Sequence, residues 1–270
     1  MKINRKIKWN ISSRRRWFHE ADVFIVSVPK SGRTWLRVFL QAYMDVVSGR
    51  ESSSAADKSL EAERQPRVAF THDLWEHLTA RHLWDRLRGK FLIPPGDHLE
   101  KKVVLMYRDP RDVVTSLYFQ LSKRSNYYKG DISGLVRHSR YGIERIVQVM
   151  NTWMTEWGGR DNFLALSYEQ CKRDEQQAFS TLLTYVGFKN VSRVLLDQSR
   201  EAASFNKMRK LELSGKYPSG ILRPGDPADP ESYKVRRGKI GGYVDYLSDN
   251  DIAYANRAME KLDVRFDRFL

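Results

Sequence analysis

The side chains best suited to chemistry form three basic clusters and one histidine. Lys30-Ser31-Gly32-Arg33-Thr34 places two cations, two hydroxyls and a glycine in five consecutive residues. The lysine supplies a point charge, the hydroxyls supply donors, and glycine permits close backbone approach, a set suited to an anion of phosphate size. Arg108 and Ser116 are eight residues apart across a strand-to-helix junction. An arginine at a strand end and a serine on the next helix can grip one phosphate from two sides. Arg236-Arg237-Gly238 adds a third basic loop, and Thr71-His72 and Ser167-Tyr168 end two apolar runs with polar pairs.

These residues need a frame that brings them to one place. Val23 to Val28 reads as a buried strand, stopped by Pro29, and Trp35 to Met44 has helical apolar spacing. Strand, short loop and helix direct the loop N–H groups and the helix dipole at an anion. Arg67 to His72 and Lys102 to Tyr107 are further strands, as is Phe163 to Tyr168. Helices are expected from Asp73, as cap, to Lys90, from Arg111 to about Lys123 with Asp109 as cap, from Leu135 to Trp157, up to Gly187, and from Ile252 to Leu262. Ser122 to Asp131 reads as loop, and the Pro- and Gly-rich stretch Leu213 to Gly242 reads as a long loop or lid. Alternating strands and helices imply an α/β fold, a single doubly wound, mostly parallel sheet flanked by helices, with a P-loop-like anion loop. Ligands of such sheets bind beyond the carboxyl ends of the strands. Lys30, His72, Arg108 and Tyr168 all fall at or just past a strand end, so they are expected to share one edge.

Pro29 to Trp35 is not a Walker A loop, which needs G-x-x-x-x-G-K-S/T. It resembles the P-K-S-G-T-T-W loop of sulfotransferases that use 3′-phosphoadenosine 5′-phosphosulfate (PAPS), with Arg33 in place of the first threonine. Arg108 to Ser116 resembles the family's R-N/D-P-x-D-x-x-x-S signature, and Arg236-Arg237-Gly238 its R-K-G segment, although Gly242 and Tyr243 depart from the Asp-Trp that follows there. Ser204-Phe205-Asn206-Lys207-Met208 resembles the S/T-F-x-x-M segment that contacts adenine. Tyr168 resembles the family's Y-E-D tyrosine, and Thr71-His72 its K-T-H strand, with Phe70 replacing the lysine. These motifs stand in the family's order from Val23 to Tyr243. The resemblance implies that Arg108, Ser116, Arg236, Arg237 and Gly238 bind the 3′-phosphate. Lys30, Ser31, Gly32, Arg33, Thr34 and Trp35 would hold the 5′-phosphosulfate, chiefly through backbone N–H groups. Trp35 and Phe205 would sandwich the adenine, with Tyr168, Ser204 and Met208 nearby. His72 would be the general base and Lys30 the leaving-group stabiliser, with Ser116 the third catalytic candidate. PAPS is the implied cofactor, adenosine 3′,5′-bisphosphate (PAP) the product, and no metal is implied. The family's C-terminal dimerisation motif has no match, so no oligomer is implied.

Composition bounds the rest. The 270 residues are 41% hydrophobic, enough for one large domain, expected over 21–270 behind a basic arm at 1–20. That arm holds seven cations before its first acid, Glu20, interleaved with Trp9, Trp17 and Phe18. It reads as a solvated arm or as a segment that lies on an anionic membrane or glycan. The lone Cys171 and the lack of a transmembrane-length stretch or signal segment suggest a cytoplasmic protein. The formal net charge of +14 favours an anionic ligand. An anionic glycan, a lipid head group, or a small phenol or alcohol all remain open as acceptor, with no nucleic acid expected. A nucleotide or small-molecule kinase would share the sheet but should carry the missing glycine–lysine pair. A non-catalytic polyanion binder would explain the charge but not the ordered motifs.

Overall fold

The computed structural model describes residues 19–48, 65–79, 101–217 and 221–266. The basic arm up to residue 18, the polar stretch 49–64 and the continuation of the Asp73 helix beyond residue 79 lie outside them. Four strands, β1 (Val23–Ser27), β2 (Val68–Thr71), β3 (Lys102–Tyr107) and β4 (Phe163–Ser167), form one sheet among the described residues, in the order β2-β1-β3-β4. Every pairing is parallel: Val23 faces Val68 and Lys102, and Val103 faces Phe163.

Period-two alternation sorts the strand side chains onto two cores. Phe24, Val26, Val103 and Leu105 enter one, with Val113, Val114 and Leu117 of α3 (Pro110–Phe119) and Ile146, Val149 and Met150 of α5 (Ile143–Trp157). Val23, Ile25, Val104 and Met106 enter the other, with Leu36, Phe39 and Leu40 of α1 (Arg33–Val47) and Phe179 and Leu183 of α7 (Glu175–Val186). Phe39 stacks on Phe179 with ring centres 4.1 Å apart. Both faces are covered, which is why β1 and β3 read as unbroken apolar runs. Chain order leaves β1 toward β2 on one side and reaches β3 on the other. The crevice where these directions diverge, at the carboxyl ends of β1 and β3, is where such folds take ligands.

Several expected boundaries move. The helix after β2 (α2, Asp73–Thr79) starts at Asp73 rather than behind it. Asp109 does cap α3, accepting from the Arg111 N–H. That helix then widens into a π turn over Gln120–Arg124, so the expected loop begins only at Ser125. Leu135 to Trp157 is two helices, α4 (Ile132–Val136) and α5, because Gly142 packs against the backbone of Val136 and His138 with no space for a Cβ. Tyr168 ends no strand; it opens α6 (Tyr168–Arg173) behind a Ser167–Gln170 capping box. Helices α8 (Arg193–Ala202) and α9 (Phe205–Ser214) stand where the sequence suggested no element. The Pro- and Gly-rich stretch that follows holds short 3₁₀ turns at Pro230–Ser232 and Gly242–Asp245, and the last helix, α10, is Asp249–Met259.

Candidate functional site

A cleft of about 450 Å³ lies over the carboxyl ends of the strands. Lys30, His72, Arg108 and Tyr168 all line it, as the parallel sheet required. Gly32, Arg33, Thr34, Trp35, Ser116, Phe205, Met208, Arg236, Arg237 and Gly238 line it too. Two expected residues do not. Ser31 is 1% exposed beneath the loop, and Ser204 serves as N-cap of α9.

The loop after β1 is built around two left-handed residues. Gly32 has φ +98°, and a Cβ there would lie 2.8 Å from both Met106 Cε and Tyr168 Cδ2, so only glycine fits. Lys30 has φ 75°, a conformation that costs a non-glycine residue roughly 1–2 kcal/mol. The turn delivers the lysine to the cleft beside Gln120, whose Oε1 accepts from Nζ at 3.5 Å. The first intrahelical bonds of α1 run from the Trp35 and Leu36 N–H groups to the Gly32 carbonyl. N–H groups ahead of them belong to the set that a helix leaves for outside acceptors.

The Arg108 end is a preassembled clamp. Asp112 accepts from Arg108 Nη2 (3.0 Å) and from the backbone N–H groups of Gly241 (2.9 Å) and Tyr243 (3.0 Å). Arg108 also donates to the Lys239 carbonyl at 2.7 Å and lies over the Tyr168 ring. The motif's aspartate thus ties the C-terminal basic loop to α3. Tyr243, in the tryptophan position of the family pattern, packs under Arg111. Arg236 pairs with Glu231 at 2.8 Å, Arg237 with Asp245 at 2.6 Å, and the Tyr168 hydroxyl donates to the Gly238 carbonyl at 3.1 Å. A Cβ on Gly238 would meet the Phe205 ring at 3.1 Å. Phe205 is 39% exposed, an aromatic face left open at the rim, and Trp35 lines the same cleft edge-on to Tyr168.

His72 has one defined tautomer. Its Nδ1 lies 2.8 Å from the Ser27 carbonyl oxygen, which can only accept, so Nδ1 carries the proton and Nε2 keeps its lone pair. Burial, and next the Arg33 charge, hold its pKa well below the ordinary histidine value, so the ring is neutral at pH 7. Burial, then the charges of Lys234, Arg124 and Arg236, bring Lys30 down to about 7. Burial and the charges of Arg124, Arg33 and Arg37 do the same to Lys234.

Sequence reasoning passed over Asp112, Gln120, Arg124 and Lys234 as site residues. Lys234 was within reach of it, two residues before Arg236. Glu212 fixes its position: this buried carboxylate accepts the N–H groups of Lys234 (2.6 Å) and Val235 (2.8 Å). Phe70, which stands where the family pattern has lysine, carries the Arg37 guanidinium 4.5 Å over its ring.

Nine cationic side chains and one carboxylate, Asp112, line the cleft. Buried donors around it, Ser31 Oγ, Arg33 Nη1 and Arg108 Nε, have no hydrogen-bond partner among the described residues. Charged donors left unpaired at such a site are costly and call for an anionic acceptor. A nucleotide with phosphates at both ends fits this donor set, with the aromatic faces between.

Comparison with known proteins gives the same picture. A profile described as the sulfotransferase domain matches residues 20–265. Flavonol 3-sulfotransferase of Flaveria bidentis is 24% identical, over 93% of this chain and 82% of its own length. Sulfotransferase 2A2 of Rattus norvegicus is 28% identical, over 73% and 71%. Cytosolic sulfotransferase 12 of Arabidopsis thaliana is 21% identical, over 90% and 77%. A mouse sulfotransferase complexed with PAP superposes with a TM-score of 0.63 at 16% identity, covering 96% of this chain and 91% of that one. A retinol dehydratase in complex with androsterone and PAP superposes at 0.60 and 15%, covering 97% and 88%. At these identities the structures speak for the fold.

Proposed function

This chain belongs to the sulfotransferase family, and from that premise we propose that its cleft binds PAPS and passes the sulfuryl group in line to an acceptor hydroxyl or amine. The observation that carries the reading is the pairing of a neutral, oriented His72 with a half-buried Lys30 in one cation-lined cleft. Bound there, the donor supplies an activated sulfuryl group on a phosphate leaving group. Arg108, Ser116, Arg236 and Arg237 hold its 3′-phosphate, and the N–H groups at the start of α1 hold its 5′-phosphate. Trp35 and Phe205 take the adenine between them. His72 Nε2 accepts the acceptor's proton, a contribution of about 10²–10⁴ in rate. Lys30 Nζ meets the charge that grows on the leaving oxygen, where a preorganised donor is worth about 10²–10³. Positioning supplies most of the rest.

Family membership disfavours the kinase and the non-catalytic polyanion binder. We place the domain over residues 21–270 and the enzyme in the cytoplasm. A relative named as cytosolic supports that location, and no helix among the described residues is long and apolar enough to cross a membrane. The basic arm brings the enzyme to anionic glycan or lipid surfaces, a reading that rests on its charge alone. Calorimetric titration with PAP and with magnesium ATP, followed by transfer from sulfur-labelled PAPS to an acceptor panel, tests the function. PAP binding in preference to ATP, with label on an acceptor, is expected. Failure to bind PAP would remove the reading.

A further inference from the structure

Assigning cations to the donor leaves some over. The 3′-phosphate takes Arg108, Arg236 and Arg237, and the phosphosulfate takes Lys30. Arg33 gives the phosphosulfate its backbone N–H, which leaves its guanidinium over together with Lys234, Arg124, Lys172 and Lys239. Arg33 and His72 line the cleft together with Lys234. Arg33, Lys234 and Arg37 are the three positive charges that act on the His72 ring. Arg33 and Arg37 are one turn apart on α1 and so share a helix face. Arg33 Nη1 is buried with no hydrogen-bond partner among the described residues. Two carboxylates oppose this cluster: Glu76 acts on Arg33, and Glu212 acts on Lys234. Glu212 accepts two backbone N–H groups and holds the lysine's backbone in place. Three like charges beside a proton-accepting histidine are costly in the empty cleft, and a fixed negative charge on the incoming molecule relieves that cost.

We infer that Arg33 and Lys234 form an anion subsite for the acceptor, so that the enzyme sulfates a compound already carrying a phosphate, sulfate or carboxylate near its reacting hydroxyl. The inference rests on the sulfotransferase reading of the cleft, since that reading decides which cations the donor occupies. The same charges keep His72 neutral and favour ionisation of the hydroxyl it serves. They also disfavour neutral phenols and steroids, which offer the cluster no charge.

The test uses the full chain saturated with PAP, titrated in a calorimeter with 2-naphthol, 2-naphthyl phosphate, 2-naphthyl sulfate and 2-naphthoate. At least one anionic member is expected to bind about tenfold or more tighter than naphthol, since charged hydrogen bonds are worth about 1.5–3 kcal/mol each. The order among the three identifies which oxyanion the subsite prefers. Lys234→Met and Arg33→Thr should each erase most of that preference. Binding of the anion should also take up protons, read as heats that differ between buffers of different ionisation enthalpy, and Lys234→Met should reduce the uptake. Naphthol binding as tightly as every anion on the wild-type chain would overturn the subsite whatever the variants do. So would a preference that survives both substitutions. PAP saturation in the first step separates the two claims: its failure sinks the sulfotransferase reading, whereas a missing anion preference with PAP bound sinks only the subsite.

Discussion

Arg108→Ala isolates the 3′-phosphate contact. Arg108 Nε is buried without a partner among the described residues, while Nη2 already serves Asp112 and the Lys239 carbonyl. A phosphate at this end therefore gains charge-assisted bonds from an arginine that is held in place beforehand. Such bonds are worth about 1.5–3 kcal/mol, so the substitution should weaken PAP about 10- to 150-fold. Adenosine 5′-phosphosulfate lacks the 3′-phosphate and should lose no more than about threefold, within the scatter of one weak contact. Asp112 keeps its bonds to Gly241 and Tyr243 in the variant, so the basic loop stays docked. Calorimetry with both nucleotides, alongside thermal melting to confirm folding, gives the answer. An equal loss for both ligands in a folded variant would refute the assignment of Arg108 to the 3′-phosphate.

Three further outcomes follow from the same geometry. Gly32→Ala places a Cβ 2.8 Å from Met106 and Tyr168 at a φ of +98°, and should abolish PAP binding while lowering the melting temperature, both read in one thermal-shift series. PAP affinity should fall as pH rises above 7: Lys30 titrates near 7 in the empty cleft, a bound anion favours its protonated form, and binding must then supply the proton. The slope of log Kd against pH should approach one per coupled lysine, and Lys30→Met should lower it; phosphate ionisation near about 6 lies below the range measured. Deleting residues 1–16 should raise KM for an anionic acceptor at low salt and leave it unchanged at high salt, where charges are screened; an unchanged KM at low salt would make the arm a solvated tail.

Much of the site was legible because a parallel sheet turns sequence position into spatial position. Any residue just past a buried apolar run lands on one edge, so Lys30, His72, Arg108 and Tyr168 could be grouped without a structure. The resemblance supplied roles that spacing could not. What stayed hidden were contacts made by long-range packing. Glu212 sits in an ordinary helical Leu-Glu-Leu, and nothing local shows that it is wholly buried against the backbone of Lys234. Arg33 shares a cleft with Lys234 only because the fold brings that lysine in from about two hundred residues away. The polar run after Leu121 read as the start of a loop, which hid the π turn over Gln120–Arg124, and the helix expected from Leu135 overran residues 137–142, which carry no aliphatic side chain.

The central claim is that His72 takes the acceptor's proton while Lys30 serves the leaving group. Steady-state turnover with PAPS, measured with PAP calorimetry on wild type, His72→Ala and Lys30→Met, tests it most directly. His72 touches only the acceptor, so its loss should cut turnover about 10²–10⁴-fold and leave PAP affinity nearly intact. Lys30 touches the donor in the ground state as well, so Lys30→Met should lower turnover and weaken PAP together. Wild-type turnover in a folded His72→Ala enzyme would contradict the account and remove His72 as the base.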